Sequence, residues 1–216
     1  MSRPRVKICC ISSVHEALTA IKHGASALGL VGKMPSGPGV IGDEMIYEIA
    51  KVVPPPISTF LLTSETKATD IIEHHKKVCT STIQIVDELE GREYQLLRKE
   101  LRNVKLVQVI HVVDEKSVRE AIEISEFVDA ILLDSGNPSL AVKELGGTGR
   151  IHDWKLSRQI KDSINIPLFL AGGLNKDNVK EAIDVVQPFG LDLCSSVRTN
   201  RRLDEEKLEA FFQVIG

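Results

Sequence analysis

The segment KLVQVIHVVDEKSVREAIEISEFVDAILLD, residues 105–134, contains the pattern that determines the fold. It begins with an apolar run at residues 105–110, continues from Asp114 with apolar positions three or four residues apart, and ends with a second apolar run at 130–134. Two short apolar runs separated by a helical pattern are typical of a βαβ unit. The segment therefore predicts two parallel strands joined by a helix.

The same alternation extends over the whole chain of 216 residues. Strands are predicted at residues 6–10, 27–31, 57–62, 82–86, 105–110, 130–134, 167–171 and 190–194. Helical patterns begin near Val14, Asp43, Lys67, Glu93, Asp114, Asp153, Lys176 and Asp204. Eight consecutive units without a linker fit a closed barrel better than an open doubly wound sheet. We therefore predict an α/β fold, a single-domain (β/α)₈ TIM barrel over residues 1–216.

The amino-acid composition makes several classes of protein function improbable for this chain. Hydrophobic residues make up 43% of the chain and charged residues 26%, as in globular proteins. A net charge of -3 and 4% aromatic residues are unlike most nucleic-acid-binding proteins. No apolar run approaches the roughly 20 residues that span a bilayer, no signal peptide is recognisable, and the four cysteines match no disulfide framework. We expect a cytoplasmic monomer or homodimer with reduced thiols that binds neither nucleic acid nor membrane.

Small-residue turns follow the last three predicted strands. They are Gly146-Gly147-Thr148-Gly149, Gly172-Gly173 and Ser195-Ser196. Backbone N–H groups in such turns can hold a phosphate without a basic side chain, and (β/α)₈ barrels often bind phosphate after strands seven and eight. Each of these turns could instead be purely structural, because glycine is the usual residue at positive φ.

Two side chains at strand ends are candidates for proton transfer. Cys9 ends the first predicted strand and Asp134 ends the sixth, at the edge where barrel active sites lie. A thiol can act as a base, and a desolvated carboxyl can hold a proton for donation. The alternatives are a buried structural cysteine and a helix-capping or loop-stabilising aspartate. Strand alternation predicts that Cys10 points away from Cys9, and Asp192 is interpreted as a buried structural acceptor.

The remaining polar candidates carry weaker signals. An inward Lys7 could support a carboxylate near the site or form a structural ion pair. His74 and His75 are interpreted as part of a solvated helix face, whereas His111 and His152 could line the mouth of the barrel. His74 and His75 are adjacent and cannot converge on one metal, and neither His111 nor His152 has a partner at ligand spacing, so no metal site is predicted.

Four motifs in order along the chain resemble those of the phosphoribosylanthranilate isomerase family of tryptophan biosynthesis. The first two, residues 7–12 (KICCIS) and 132–135 (LLDS), are similar to the family's K-I-C-G-I-T and L-L-D segments. Residues 146–154 (GGTGRIHDW) resemble G-G-[ST]-G-x-x-F-D-W, and residues 170–179 (LAGGLNKDNV) resemble L-[AS]-G-G-L-x-x-x-N-V. The resemblance extends over nearly the full length of the chain.

The resemblance implies an Amadori rearrangement of a phosphorylated aminosugar, N-(5-phosphoribosyl)anthranilate, without a cofactor. Asp134 would protonate the ring oxygen to open the sugar, and Cys9 would remove the C2 proton. Lys7 and Gln84 would contribute to substrate binding. The phosphate would be held by Gly147, Thr148, Gly149, Gly172, Gly173, Ser195 and Ser196.

The chain departs from the family pattern after strands two, four and eight. The family has an arginine that receives the anthranilate carboxylate at the position of Gly39, and a histidine at the position of Val86. Its S-S-G-V-E segment ends in a glutamate where this chain has Arg198. We therefore hypothesise that Arg198 or Lys33 supplies the missing cation, the alternative being a solvated surface base.

Two other functions remain open at this point. The same chemistry could act on a different phosphorylated aminosugar whose amine substituent lacks a carboxylate. Alternatively, the chain could be a non-catalytic protein that binds a phosphorylated metabolite, although it keeps both Cys9 and Asp134.

Overall fold

The computed structural model describes residues 3–35, 37–135 and 152–216. Eight parallel strands close into a barrel in sequence order, which confirms the predicted (β/α)₈ fold. The strands are β1 Arg5–Ile8, β2 Ala27–Val31, β3 Ser58–Thr63, β4 Thr82–Ile85, β5 Lys105–His111, β6 Ala130–Asp134, β7 Leu168–Leu170 and β8 Gly190–Leu193. The α-helices are α1 Val14–Lys22, α2 Asp43–Val52, α3 Ala68–Val78, α4 Gly91–Glu100, α5 Glu115–Ser125, α6 Trp154–Ser163, α7 Val179–Val186 and α8 Glu205–Ile215.

The barrel closes by pairing β1 with β8, so that Ile8 lies opposite Leu193. The first strand is shorter than predicted, because Cys10 adopts a positive φ of 62° and cannot continue the extended backbone. A short 3₁₀ turn, Ser195–Val197, follows β8. The two-residue strands β9, Arg198–Thr199, and β10, Arg202–Leu203, then form a small antiparallel hairpin before α8.

Side chains alternate between the barrel interior and the layer beneath the helices. On β5, Val107 and Val109 belong to the interior cluster, whereas Leu106 and Ile110 belong to the cluster between strands and helices. On β6, Ala130 and Leu132 face the interior in the same way. Because side chains alternate along a strand, Asp134 is aimed at the open end of the barrel.

The prediction of a solvated face for His74 and His75 is wrong, because both side chains are buried on α3. The Nε2 atom of His75 lies 2.7 Å from the carbonyl oxygen of Thr80, and Nε2 of His74 lies 3.1 Å from Oδ1 of Asp43. The helix packs against β3 and also against its neighbouring helices, so both positions face other elements. No helix within residues 3–35, 37–135 and 152–216 is long and apolar enough to cross a bilayer.

Candidate active site

A cavity opens at the carboxyl ends of the strands, with about 760 Å³ of empty space up to bulk solvent. Most of the predicted site residues within the described chain line this one cavity, namely Cys9, Gln84, Asp134, Gly172, Gly173, Ser195 and Ser196. Fold closure thus brings together residues that are up to 187 positions apart in the sequence.

Cys9 follows β1 directly and is buried in the cavity wall. Its backbone N–H donates to the carbonyl oxygen of Leu193 at 2.7 Å, which fixes the residue against β8. A Cβ atom on Gly29 would lie 2.9 Å from Sγ of Cys9 and 3.0 Å from Nζ of Lys7. Glycine at position 29 therefore makes room for both the thiol and the ammonium group.

Asp134 ends β6 and is 9% exposed. Burial raises the pKa of its carboxyl group, although a hydrogen bond from the backbone N–H of Ser135, at 2.7 Å, and the charge of Lys7 act in the opposite direction. Desolvation therefore favours the protonated form of this carboxyl group, and a role of Asp134 in proton transfer stays a prediction.

Lys7 does not line the cavity, which does not support its predicted role in substrate binding, and the ion pair that the sequence left open is present with Asp192. Its ammonium group is fully buried, 2.9 Å from Oδ1 of Asp192 and 5.4 Å from the centre of the Phe60 ring. Burial alone would lower the pKa of Lys7, but the charges of Asp192 and Cys9 outweigh it and hold this pKa above its usual value. Lys7 therefore stays charged in its buried position.

The two turns after β7 and β8 form one end of the cavity. Gly172 and Gly173 have positive φ values of 82° and 66°. A Cβ on Gly172 would lie 2.9 Å from Oγ of Ser135 and 3.0 Å from Nδ1 of His152, so a larger residue would not fit. His152 itself is predominantly buried, and burial lowers its pKa to about 4, so its ring is neutral at pH 7. Phosphate binding by these turns stays a prediction.

Two polar atoms at the cavity have no hydrogen-bond partner within the part of the chain that the structure describes. They are Oε1 of Gln84 and Oγ of Ser196, both buried. A buried polar atom without a partner costs about 1–3 kcal/mol, so each is a candidate for contact with a bound polar molecule. The predicted Gly147, Thr148 and Gly149 lie outside the described residues.

The prediction that Cys10 points away from the site is wrong. Its sulfur lines the cavity, 3.0 Å from Sγ of Cys194 and 4.0 Å from Sγ of Cys9. Strand alternation does not apply to Cys10, because the strand ends at Ile8 and the backbone then turns with positive φ. We call Cys9, Cys10, Gly39 and Cys194 the thiol side of the cavity, and Asp134, Gly172 and Gly173 the acid side.

Cys10 also explains why position 39 carries no side chain. A Cβ on Gly39 would lie 2.5 Å from Cβ of Cys10, and Gly39 has a positive φ of 80°. The cysteine at position 10 therefore occupies the space that a side chain at position 39 would need. Two departures from the family pattern, Cys10 for glycine and Gly39 for arginine, therefore meet in the same space.

Arg198 does not face the cavity, which corrects the expectation that it binds substrate. Its guanidinium group donates to the carbonyl oxygens of Cys9 and Cys10 at 3.0 and 2.7 Å, and it contacts both carboxylate oxygens of Glu16 at 3.2 Å. Lys33, the other proposed cation, is exposed and does not line the cavity. Among the cavity-lining residues of the described chain, none is a lysine, arginine or histidine.

Glu16 is the partner that sequence analysis missed. Its carboxylate accepts hydrogen bonds from the backbone N–H groups of Ser12 and Leu203 at 3.0 and 2.8 Å. Burial opposes ionisation, but these hydrogen bonds and the Arg198 guanidinium lower the pKa of Glu16. A local signal was present, because Ser13 and Glu16 have the spacing of a helix capping box, and the Ser13 hydroxyl accepts from the Glu16 N–H.

This fold and this site define a (β/α)₈-barrel enzyme with a thiol and a protonatable carboxyl group at the mouth of the barrel. Residues 6–214 match the family model of N-(5'-phosphoribosyl)anthranilate (PRA) isomerase. The chain belongs to this family.

Individual relatives agree with the family match. The chain is 32% identical over 203 residues to N-(5'-phosphoribosyl)anthranilate isomerase 2 of Methanosarcina mazei, covering 94% of this chain and 89% of that protein. It is similar to the crystal structure of phosphoribosyl anthranilate isomerase from Thermotoga maritima, with 30% identity, a TM-score of 0.82 and 98% of both chains covered. A further crystal structure of such an isomerase, in complex with reduced 1-(o-carboxyphenylamino)-1-deoxyribulose 5-phosphate, has 28% identity, a TM-score of 0.79 and 98% coverage of both chains.

Proposed function

We infer that this chain is an N-(5'-phosphoribosyl)anthranilate isomerase, which converts its substrate into 1-(2-carboxyphenylamino)-1-deoxyribulose 5-phosphate by an Amadori rearrangement. The observation that carries the inference is that Cys9 and Asp134 line one cavity, together with the turns after β7 and β8. The reaction needs an acid, a base and a grip on the phosphate around one sugar, and this cavity offers candidates for all three.

We propose that Asp134 begins the reaction as the general acid. Its protonated carboxyl group would transfer a proton to the furanose ring oxygen, and the C1–O bond would break as the nitrogen lone pair forms a Schiff base. The raised pKa of Asp134 supports this role, because it increases the fraction of the carboxyl group that carries a proton to donate.

Cys9 would act second, as the general base. Its thiolate would take the proton from C2 of the Schiff base, and the resulting enolamine would tautomerise to the ketone. The position of Cys9 in the cavity wall, where its sulfur and the buried Lys7 ammonium share the space over Gly29, supports this placement of the base.

Phosphate binding would use backbone N–H groups of Gly172, Gly173, Ser195 and Ser196, supplemented by Gly147, Thr148 and Gly149. Gln84 would contact the substrate with its unpartnered amide oxygen. That the enzyme works in the cytoplasm, as a monomer or a homodimer, stays a prediction.

One observation favours a second candidate function. The thiol side has Gly39 in place of the carboxylate-binding arginine, and no lysine, arginine or histidine lines the cavity within the described chain. A carboxylate-binding contact is worth about 1.5–3 kcal/mol, so its loss weakens the recognition of anthranilate. The second candidate is therefore isomerisation of a phosphoribosylamine whose substituent lacks a carboxylate.

A steady-state assay with two substrates distinguishes the candidates. N-(5'-phosphoribosyl)anthranilate and N-(5'-phosphoribosyl)aniline differ only in the carboxylate. A higher kcat/KM for the anthranilate compound, together with growth of a tryptophan-requiring strain that lacks this isomerase, supports the first function. A higher kcat/KM for the aniline compound supports the second, and no turnover of either compound contradicts both.

A further inference from the structure

Three of the four thiols meet at the thiol side of the cavity. Cys10 lies 3.0 Å from Cys194 and 4.0 Å from Cys9, measured between sulfur atoms. All are free cysteines. The fourth, Cys79, is exposed at the end of α3 and provides an internal reference.

We propose that Cys10 and Cys194 form a reversible disulfide in the cavity wall, and that this bond inactivates the enzyme. A disulfide bond is about 2.05 Å long, so the two sulfurs need to approach by only about 1 Å. The positions are held close by barrel closure, since Ile8 and Leu193, two and one residues earlier, are register partners of β1 and β8. Formation of this disulfide does not depend on the proposed function. Only its expected effect on activity rests on that function.

The reaction is a thiol–disulfide exchange with a low-molecular-weight disulfide. The Cys194 thiol first loses its proton to the solvent, and its thiolate attacks one sulfur of the reagent, forming a mixed disulfide and releasing one thiolate, which takes up a proton from the solvent. The Cys10 sulfur then attacks the Cys194 sulfur, a second reagent thiol leaves, and it takes up the Cys10 proton. The two protein thiols are thereby oxidised to one disulfide, and the reagent is reduced to two thiols.

Cys194 is the thiol that reacts first. It is partly exposed in the cavity, whereas Cys9 and Cys10 are buried. The hydrogen bond with Cys10 and the charge of Arg198 lower the pKa of Cys194, while the same hydrogen bond raises the pKa of Cys10. Exposure and thiolate character are the properties that make a cysteine reactive.

A bond between Cys9 and Cys10 is the less favourable alternative. These sulfurs are 4.0 Å apart rather than 3.0 Å. They also belong to adjacent residues, so a disulfide between them would close a small ring through a planar trans peptide bond. A disulfide between Cys10 and Cys194 has no such restriction, because the two residues follow different, neighbouring strands.

The disulfide would disturb the site at two points. Cys10 directly follows the proposed base Cys9, and Cys194 directly precedes the Ser195–Ser196 turn. Bond formation would move Cys10 and Cys194 towards each other by about 1 Å in total. This movement would change the distance between the base and the phosphate end of the substrate. A misplacement of about 1 Å can lower the rate of an enzyme by roughly 10²-fold. Oxidation also removes the Cys10 S–H group, which donates to the carbonyl oxygen of Pro38 at 3.5 Å.

The experiment uses the full-length reduced protein, incubated with glutathione disulfide and then blocked with iodoacetamide. Trypsin releases residues 8–22 with Cys9 and Cys10, residues 181–198 with Cys194, and residues 78–92 with Cys79. Mass spectrometry detects the linked peptides, and kcat/KM is measured before and after dithiothreitol. The variants are Cys194→Ser and Cys10→Gly, with Cys79→Ser as the matched control.

We expect a link between peptides 8–22 and 181–198 in the wild type and in Cys79→Ser, and in neither of the two other variants. Linked protein should lose at least tenfold in kcat/KM and regain it with dithiothreitol. The proposal is overturned if no link forms, if Cys10→Gly still links through Cys9, or if linked protein keeps its activity. The mass measurement requires no substrate, so absence of the bond is distinguishable from failure of the proposed function.

Discussion

The acid side and the thiol side of the cavity differ in how closely they follow the family pattern. On the acid side, Asp134, Gly172 and Gly173 match the family motifs and lie where those motifs predict. On the thiol side, Cys9 matches, but its three neighbours depart together, because the Cys10 side chain fills the space over Gly39 and contacts Cys194. The comparison teaches that proton-transfer groups can be retained while the surface around one of them is rebuilt.

The largest effect on activity should come from removing the proton-transfer group of either side, in two separate variants. Asp134→Asn and Cys9→Ser should each lower kcat by about 10³-fold with a smaller change in KM, because general acids and bases contribute roughly 10²–10⁴-fold, mainly in the transition state. Steady-state kinetics measures both constants. Cys79→Ser, an exposed cysteine far from the cavity, should leave them unchanged. Full activity in either site variant would remove that residue from the mechanism.

The next largest effect should follow from Arg198→Met, which tests how the thiol side is held in place. The change leaves the buried Glu16 carboxylate without its cation and frees the carbonyl oxygens of Cys9 and Cys10. Breaking one partner of a buried ion pair costs about 3–5 kcal/mol. We expect a loss of about 3 kcal/mol in the free energy of unfolding, measured with urea, and a lower kcat.

Arg202→Met is the control for this prediction, because Arg202 lies in the same hairpin and is exposed. It should change the free energy of unfolding by no more than about 0.5 kcal/mol. Equal effects of the two substitutions would contradict the supporting role of Arg198.

A smaller effect should come from converting the thiol side back to the family pattern. Gly39→Arg alone should destabilise the protein, because its Cβ would lie 2.5 Å from Cβ of Cys10. In the Cys10→Gly background the two side-chain contacts are removed, so the arginine should cost less stability, although the 3.0 Å contact with Cα of residue 10 and the positive φ at position 39 remain. The double variant should then lower KM for N-(5'-phosphoribosyl)anthranilate by about tenfold, the value of one charge-assisted contact. The KM for N-(5'-phosphoribosyl)aniline should not change.

The coupling between these positions is measured by a double-mutant cycle of stability and KM. Additive effects of Cys10→Gly and Gly39→Arg would show that the two positions are independent. A KM that falls equally for both substrates would mean that the arginine does not recognise the carboxylate.

The smallest effect concerns stability on the acid side. Because burial raises the pKa of Asp134, its contribution to stability is complete at low pH and is lost as the pH rises through the raised pKa. Asp134→Asn removes this loss and keeps an oxygen for the Ser135 N–H. We expect Tm to be a few degrees higher than in the wild type at neutral pH, with a smaller difference in acid. Thermal unfolding over a pH series measures this, and a lower Tm at neutral pH would contradict it.

Sequence analysis predicted the barrel and most of the cavity for a simple physical reason. Alternation along parallel strands fixes which end carries Cys9 and Asp134, and barrel closure brings those ends together. The direction of Cys10 could not be read in this way, because alternation stops where the backbone leaves the extended conformation. A cysteine gives no signal of positive φ by itself, so the only available signal was the glycine that the family has at position 10.

The role of Arg198 could not be predicted from the sequence, for a different reason. Its carboxylate partner Glu16 is 182 residues away, and a basic residue after a strand is equally compatible with substrate binding and with a structural ion pair. The family pattern pointed to the changed charge at this position but not to its partner. Long-range pairs of single charged residues are specified by the folded topology, which one sequence does not display.

The contact from Arg198 to the backbone at Cys9 and Cys10 has a consequence for biosynthesis. The ribosome completes the first strand early, whereas Arg198 is synthesised only after all eight barrel strands. The hydrogen bonds that anchor the loop after β1 therefore cannot form before the barrel sequence is complete. Catalytic competence should arise late in synthesis, so that shorter translation products remain inactive.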